Sequence, residues 1–177
     1  WLTGMRGGEK CLEILCQFFP EATLFTLIHK KGSVSTAIEK MKIQTSFIQK
    51  FPFSKKIYPK YLPFFPTAIE QFDLSDFDLV ISCSHCVAKG VITRPETCHI
   101  CYCLSPMRYA WEMYHTYFFN NHSGVFSKTL IPFFINYLRT WDEHSSQRVD
   151  YFVAISHYIK NRIKKHYRRS SEVVFPP

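Results

Sequence analysis

The chain of 177 residues has the length of one ordinary domain, and a hydrophobic content of 46% is enough to bury a core and excludes disorder over most of its length. The formal net charge of +8 is concentrated in residues 50–61 and 160–169, and it favours an anionic partner: nucleic acid, an anionic membrane or a sugar nucleotide. A solvated helix face is the alternative explanation of this charge.

Cysteine usage indicates the compartment. The seven cysteines are odd in number and no signal peptide stands at the start, which predicts reduced thiols in a cytosolic protein. Residues 121–123 fit an N-glycosylation sequon, but a cytosolic chain would not meet the glycosylating enzyme. Lys128, Pro132 and Asn136 interrupt the longest apolar runs, so we expect no membrane-spanning segment and only peripheral contact with a membrane.

The hydrophobic pattern predicts alternating helices and strands. In chain order we expect a helix over 8–19, strand 22–28, short helix 33–41, short strand 42–47, a proline-broken and partly helical segment over 54–72, strands 76–84 and 97–105, helices 108–121 and 128–148, strand 149–156, helix 156–169 and strand 171–175. Ser156 is a predicted N-cap, followed by an apolar stripe at i+4 spacing.

This alternation predicts an α/β fold with a Rossmann-like parallel sheet. The strands are continuous apolar runs, which is typical of parallel strands covered by helices on both faces. No strand precedes Trp1, although such folds open on one, and the chain ends on Phe175-Pro176-Pro177. We therefore expect residues 1–177 to be a single Rossmann-like domain, without its first strand, from a longer protein.

Ligands of open parallel sheets bind beyond the carboxyl ends of the strands. The segments expected there are 4–8, 82–90, 104–111 and 156–158, and their glycines, histidines, serines, lysine and arginine suit a phosphate- and sugar-binding cleft. The amides of Gly7 and Gly8, at a helix N-terminus, are placed to receive a phosphate. A purely structural turn is the alternative.

Three cysteines in residues 96–115 raise the possibility of a metal site. Cys101 and Cys103, however, alternate with Ile100 and Tyr102 on a predicted buried strand, whereas structural zinc sites favour C-x₂₋₄-C knuckles on loops. Buried free cysteine behaves as a small hydrophobe, so we expect no metal. A Cys86 nucleophile beside a histidine is a further alternative, and it needs an exposed, electropositive thiol.

Four segments carry a family resemblance. The segments WLTGMRGGEKCLE, AIEQFDLSDFDLVISCSHCVAKGV, CYCLSPMRYAWEMYH and VDYFVAISHYIKNRIKKHY…VVFPP resemble the N-terminal domain of glycosyltransferase family 4, and most of all the mannosyltransferases of bacterial O-antigen and polysaccharide assembly. The resemblance implies a GT-B enzyme that is retaining and needs no metal or other cofactor. Its N-terminal domain binds the acceptor, and its C-terminal domain, absent from this chain, binds a sugar nucleotide such as GDP-mannose.

The resemblance also implies roles for particular residues. The acceptor would be a glycan or a lipid-linked sugar, and Arg108 would meet its phosphate or hydroxyl group. Trp111 would stack on a sugar or pack in the core. His85 is the candidate catalytic residue. The other residues that match the family segments at the cleft are expected to bind substrate: Gly7, Gly8, Lys89, Ser105, Arg108, Tyr109 and Trp111.

One position departs from the family pattern. The family has Cys-Tyr-Cys-His-Thr-Pro-Met-Arg-Tyr, and here Leu104 replaces the histidine. Leucine cannot take a proton, so we expect His85 to compensate in part.

The alternative function is a non-catalytic remnant or a module that binds a glycan or lipid-linked sugar. The lysines and aromatic residues in 50–65 predict contact of the protein with the anionic cytosolic leaflet of a membrane. No nucleic-acid-binding motif is present in the sequence, so we expect no nucleic-acid partner.

Overall fold

The structure, a computed structural model that describes residues 1–113 and 125–177, divides the chain into two compact units. Unit 1 comprises residues 1–76 with 176–177, and unit 2 comprises residues 77–175. Both units hold parallel strands and helices, so the α/β class predicted from the sequence is confirmed. Within the described residues, no helix is long and apolar enough to cross a bilayer.

Unit 1 is built around two parallel strands. Its elements are α1 (Gly7–Phe18), β1 (Thr23–Thr26), α2 (Thr36–Glu39), β2 (Lys42–Thr45), a 3₁₀ turn (Phe47–Lys50), α3 (Ser54–Ile57), a second 3₁₀ segment (Tyr58–Phe64) and α4 (Phe65–Glu70). Leu2, Cys16, Ile38 and Met41 form a buried cluster on which these elements pack. The short, interrupted helices after residue 54 are those expected from Pro59, Pro63 and Pro66, because proline removes an amide donor.

One residue near the start of the chain pairs with the segment that follows β1. Leu2 forms an isolated parallel bridge with His29. Its amide donates to the Ile28 carbonyl over 2.7 Å, and its own carbonyl accepts from the Lys30 amide over 2.9 Å. Leu2 therefore pairs as a strand residue would, beyond the end of β1, and its side chain is buried.

Unit 2 contains a four-stranded parallel sheet in the order β3-β4-β5-β6. Its elements are β3 (Leu79–Ser84), a 3₁₀ turn (Ala88–Gly90), β4 (Cys98–Cys103), α5 (Arg108–Trp111), α6 (Val125–Ser145), a 3₁₀ turn (Ser146–Arg148), β5 (Tyr151–Ala154), α7 (His157–Tyr167) and β6 (Glu172–Val173). Of the helix predicted over 108–121, residues 108–111 are helical, residues 112 and 113 are not, and residues 114–121 lie outside the described residues, as does the rest of the sequon at 121–123.

One face of this sheet carries the core of unit 2. Cys101 pairs in register with Phe152, and both side chains point to the buried face. That face packs on α7 through Ile159, Ile163 and Tyr167, which confirms the apolar stripe predicted for this helix. Burial alternates along β4, because the residues between its buried members are only half-buried.

The N-cap of α7 is the predicted one. The Ser156 hydroxyl accepts a hydrogen bond from the Ile159 amide over 3.2 Å. An N-cap serine satisfies an amide that the helix leaves without a partner. Since Ser156 lies two residues after the end of β5, the cap also fixes where the chain turns from the sheet into the helix.

Candidate functional site

The loops that follow β3 and β4 lie side by side at the carboxyl edge of the unit 2 sheet. The Leu104 amide donates to the Ser84 carbonyl over 2.8 Å, so the ladder between the two strands continues one residue into the loop. The Ser105 amide also reaches this carbonyl, at 3.4 Å. The segments predicted to converge after these two strands therefore do converge within unit 2, as expected for parallel strands.

A buried arginine holds the loop after β4. Arg162 of α7 is only 4% exposed, and its Nη1 donates to the Ser105 hydroxyl over 2.5 Å. Its Nε donates to Oε1 of Glu112 over 2.6 Å. Burial disfavours the charge on Glu112, but the Arg162 charge and hydrogen bond outweigh it, so the pKa of this carboxyl is lowered. Arg162 thus joins α7 to both ends of residues 105–112.

Trp111 lies against protein groups on both sides. Its Nε1 donates to Oδ2 of Asp142 over 2.8 Å, and its ring is 4.5 Å from the ring of His166. The side chain is half-buried. Of the two roles that the sequence left open, sugar stacking and core packing, these contacts correspond to packing.

Lys89 lies in the interior of unit 2. Its side chain is 1% exposed, and Nζ is 2.8 Å from Oδ1 of Asp142. Nζ also donates to the Asp142 carbonyl over 2.7 Å and to the Ser145 hydroxyl over 2.8 Å. The ring centroids of Trp141 and Tyr167 lie 5.4 Å and 4.9 Å from the ammonium. This position suits stabilisation of the fold better than contact with a substrate.

The Cys86 thiol is buried and paired. It is 4% exposed and hydrogen-bonds the hydroxyl group of Tyr109. Burial raises the pKa of Cys86 to about 12, because a thiolate would lose its hydration there. A nucleophilic thiolate is the reactive form of cysteine, so Cys86 does not have the environment that the nucleophile hypothesis needs. Tyr109, predicted to bind substrate, directs its hydroxyl to this thiol.

Thiol labelling tests this assignment. At pH 8 we expect iodoacetamide to modify Cys86 on the order of a thousandfold more slowly than an unperturbed thiol, because its pKa is about 12 against an ordinary 9.0. Cys98, which is half-buried, serves as the internal comparison in the same digest. Peptide mapping by mass spectrometry gives both rates. Equal rates in the native protein would contradict the buried thiol, and equal rates in urea are the control.

Three further residues that the sequence analysis discussed lie at this edge of unit 2. Arg108 is exposed, and His85 and Leu104 are half-buried.

Gly7 and Gly8 belong to unit 1. Gly7 is the first residue of α1, and a side chain there would meet open space. The glycine is therefore not required by packing.

The cysteine-rich strand contains free thiols. None of the seven cysteines forms a disulfide bond, and Cys101 and Cys103 lie on the buried face of β4. In residues 1–113 and 125–177, no three side chains among His, Cys, Asp and Glu are grouped so that they could hold a metal ion. His99, on the same face, instead shares a hydrogen bond of 2.9 Å with the Ser82 hydroxyl.

The sequence analysis missed Asp142, Glu112 and Arg162. Asp142 is fully buried, and it lies at helical spacing from buried Ile135 and Leu138 on α6. A carboxylate on an apolar helix stripe was the available signal, because a buried charge requires a partner. Arg162 gave the same signal on α7, where it sits beside Ile163.

The fold and the edge residues define an α/β protein with parallel strands whose loops gather polar side chains at the carboxyl edge of one sheet. Comparison of the chain with protein-family models, with curated proteins and with solved structures gives no match. The resemblance to glycosyltransferase family 4 accordingly rests on the four sequence segments alone.

Proposed function

We propose that this chain is the acceptor-binding part of a retaining glycosyltransferase. The enzyme transfers a sugar to a glycan or lipid-linked acceptor, and the proposed sugar is mannose, supplied by GDP-mannose. The observation that carries the proposal is the loop of residues 104–108. It lies at the carboxyl edge of a parallel sheet, where α/β proteins bind ligands, and it coincides with the segment CYCLSPMRYAW on which the family resemblance depends.

The accessible side chains at this edge are suited to binding the acceptor. The exposed guanidinium of Arg108 suits a phosphate or a sugar hydroxyl on the acceptor, since arginine presents several donors in a fixed plane. The hydrogen bonds that Arg162 donates and that the Ser84 carbonyl accepts hold the neighbouring loop in one conformation, so little entropy is lost when an acceptor binds. The acceptor hydroxyl then attacks the anomeric carbon, the nucleoside diphosphate leaves with the bonding electron pair, and the hydroxyl proton passes to the departing diphosphate.

His85 is the titratable side chain that we assign to the reaction. It is half-buried and follows β3 directly, beside the loop whose Leu104 cannot exchange a proton. An imidazole at that edge can hydrogen-bond the acceptor hydroxyl and orient it for attack. The sugar nucleotide itself, and the charge of the departing diphosphate, belong to the donor-binding domain implied by the resemblance.

The test uses the protein that contains this chain together with its donor-binding domain. A panel of sugar nucleotides is screened for release of nucleoside diphosphate, with and without a lipid-linked acceptor. We expect release with one donor, and an increase of about tenfold in the acceptor KM for Arg108→Gln. Arg94→Gln is the matched control, because Arg94 is also an exposed arginine of unit 2. Failure of every donor, with a folded protein, would reject the transferase.

Leu104 favours a second candidate, a non-catalytic module that binds a glycan or a lipid-linked sugar. A half-buried leucine replaces the family histidine, and the loop around it is nonetheless firmly held. Such a module would bind acceptor in calorimetry with the 177-residue chain and release no nucleoside diphosphate in the screen. Leu104→His separates the two, because gain of turnover on restoring the histidine supports an altered enzyme and no gain supports the module.

A further inference from the structure

An exposed phenylalanine in a strained conformation stands out in unit 1. Phe53 has φ of 52° and ψ of 19°, in the left-handed region, and its side chain is 76% exposed. The left-handed conformation costs a non-glycine residue roughly 1–2 kcal/mol, and an exposed phenyl ring returns none of that by burial. Nothing in the packing of unit 1 explains why position 53 is a phenylalanine rather than a glycine or asparagine.

The backbone around Phe53 is firmly held. The buried Ser54 hydroxyl donates to the Gln49 carbonyl over 3.0 Å. The Tyr61 hydroxyl donates to the Pro52 carbonyl over 2.7 Å, and the ring of Phe51 lies 5.1 Å from that of Tyr61. The strained residue is therefore presented to solvent by a rigid support, since the groups on either side of it are anchored.

The surroundings of Phe53 are cationic and apolar. Residues 40–69 contain six lysines and neither aspartate nor glutamate. Lys55, Lys56 and Lys60 are exposed, and within the described part of the chain none of the three forms an ion pair. Phe64, also exposed, adds a second ring at 47%. A groove of about 320 Å³ lies beside them, lined by Gln49, Phe51, Phe53, Ser54, Lys55 and Lys56.

We propose that this surface, the Phe53 surface (Phe53, Lys55, Lys56, Lys60 and Phe64), docks on an anionic lipid bilayer with the Phe53 ring inserted among the headgroups. Exposed aromatic rings flanked by lysines match the membrane interface, which offers apolar depth and negative charge together. The groove between Phe53 and the lysines has room for a lipid phosphate. The anchored backbone holds Phe53 in this conformation before the protein meets a membrane.

The other basic segment does not share these properties. The lysines of α7 lie on an exposed arc, while its apolar stripe is buried in the core of unit 2. A membrane-bound helix needs an apolar face that is exposed, whereas the apolar face of α7 packs against the sheet. The exposure of Phe53 therefore agrees with the sequence-based assignment of membrane contact to residues 50–65, and it names the residue that would insert. This assignment does not depend on glycosyl transfer.

Vesicle co-sedimentation of the 177-residue chain tests the proposal. Vesicles of phosphatidylcholine are compared with vesicles containing 30% phosphatidylglycerol, on the order of the anionic fraction that attracts basic segments. We expect binding to the anionic vesicles only. Phe53→Ser should weaken it about tenfold, and Lys55→Gln with Lys56→Gln should weaken it about twentyfold.

Matched variants test whether vesicle binding depends on the Phe53 surface or on exposed rings and positive charge anywhere in the chain. Phe18→Ser removes a ring of unit 1 that is 73% exposed, and Lys164→Gln with Lys165→Gln removes two exposed lysines of α7. Both controls should bind as the parent does. Phe53→Gly should keep or raise the melting temperature, because glycine accepts positive φ, and still lose binding. Equal binding to both vesicle types, or equal loss in the control variants, overturns the proposal.

Discussion

Replacing Lys89 with methionine is expected to lower the free energy of unfolding by about 3–5 kcal/mol, a large share of the stability of a small protein. The ammonium is 1% exposed and 2.8 Å from Oδ1 of Asp142, which is itself fully buried. Methionine has nearly the length of the lysine stem, so the loss of packing is small. The dominant cost is a carboxylate left without its cation inside the protein.

The cost of the unpaired carboxylate cannot be relieved by a movement of Asp142 to solvent, because hydrogen bonds hold its side chain in place. Its Oδ2 accepts hydrogen bonds from Trp111 Nε1 over 2.8 Å and from the Tyr167 hydroxyl over 2.9 Å. These donors come from α5 and α7, so Asp142 connects three helices of unit 2. Burial and the nearby carboxylate raise the pKa of Tyr167 well above its ordinary value, which keeps its hydroxyl a donor at all working pH values.

The measurement is urea unfolding at pH 7, followed by circular dichroism, with unchanged m-values as the check that the denatured state is comparable. Lys164→Met is the control, since Lys164 is exposed on α7 and its replacement should change stability by less than about 0.5 kcal/mol. Adding Asp142→Asn to Lys89→Met should recover much of the loss, because an amide keeps an acceptor without the charge. Similar losses for Lys89→Met and Lys164→Met would disprove the buried pair.

The sequence predicted the sheet of unit 2 well because its strands are marked locally. Cys98–Cys103 is an unbroken β-forming run, and α7 is marked by a serine N-cap and a regular apolar stripe. Patterns of this kind depend on neighbours within a few residues. Periodicity therefore reports them without knowledge of the tertiary structure.

The environment of single polar residues was less predictable. Lys89 follows a strand as a ligand-binding lysine would, and its true partner Asp142 lies 53 residues away in the sequence. The conformation of Phe53 was also hidden, because positive φ is signalled by glycine or asparagine and neither is present there. In both cases the deciding contact or dihedral angle belongs to the folded chain and leaves no local pattern.

Acidification should destabilise the fold through His99. This side chain is fully buried on β4, and its Nε2 shares a hydrogen bond with the Ser82 hydroxyl over 2.9 Å. Burial lowers the pKa of His99 from 6.5 to about 4, because the imidazolium ion would lose its hydration. Between these values the unfolded chain binds a proton that the folded chain refuses. The stabilising contribution is complete above pH 6.5 and is lost as the pH falls towards 4.

The size of the effect follows from the difference in pKa. A depression from 6.5 to about 4 corresponds to a loss of about 3 kcal/mol when the whole interval is crossed, with a slope of at most about 1.4 kcal/mol per pH unit. Urea unfolding at pH 7.0, 6.0 and 5.0 measures it. His99→Gln keeps an amide that can hydrogen-bond Ser82 but does not titrate, so its stability should vary less with pH.

The difference between the two proteins isolates His99 from the other titrating groups. Burial also lowers the pKa of His166, which therefore destabilises the fold in the same direction on acidification, but equally in both proteins. His157→Gln is the control for loss of an exposed histidine, and its pH dependence should match that of the parent. Parallel stability curves for the parent and His99→Gln from pH 7 to 5 would show that the buried imidazole does not resist protonation. Convergence of the two curves towards pH 5 is the expected result, because the parent alone loses the contribution of His99.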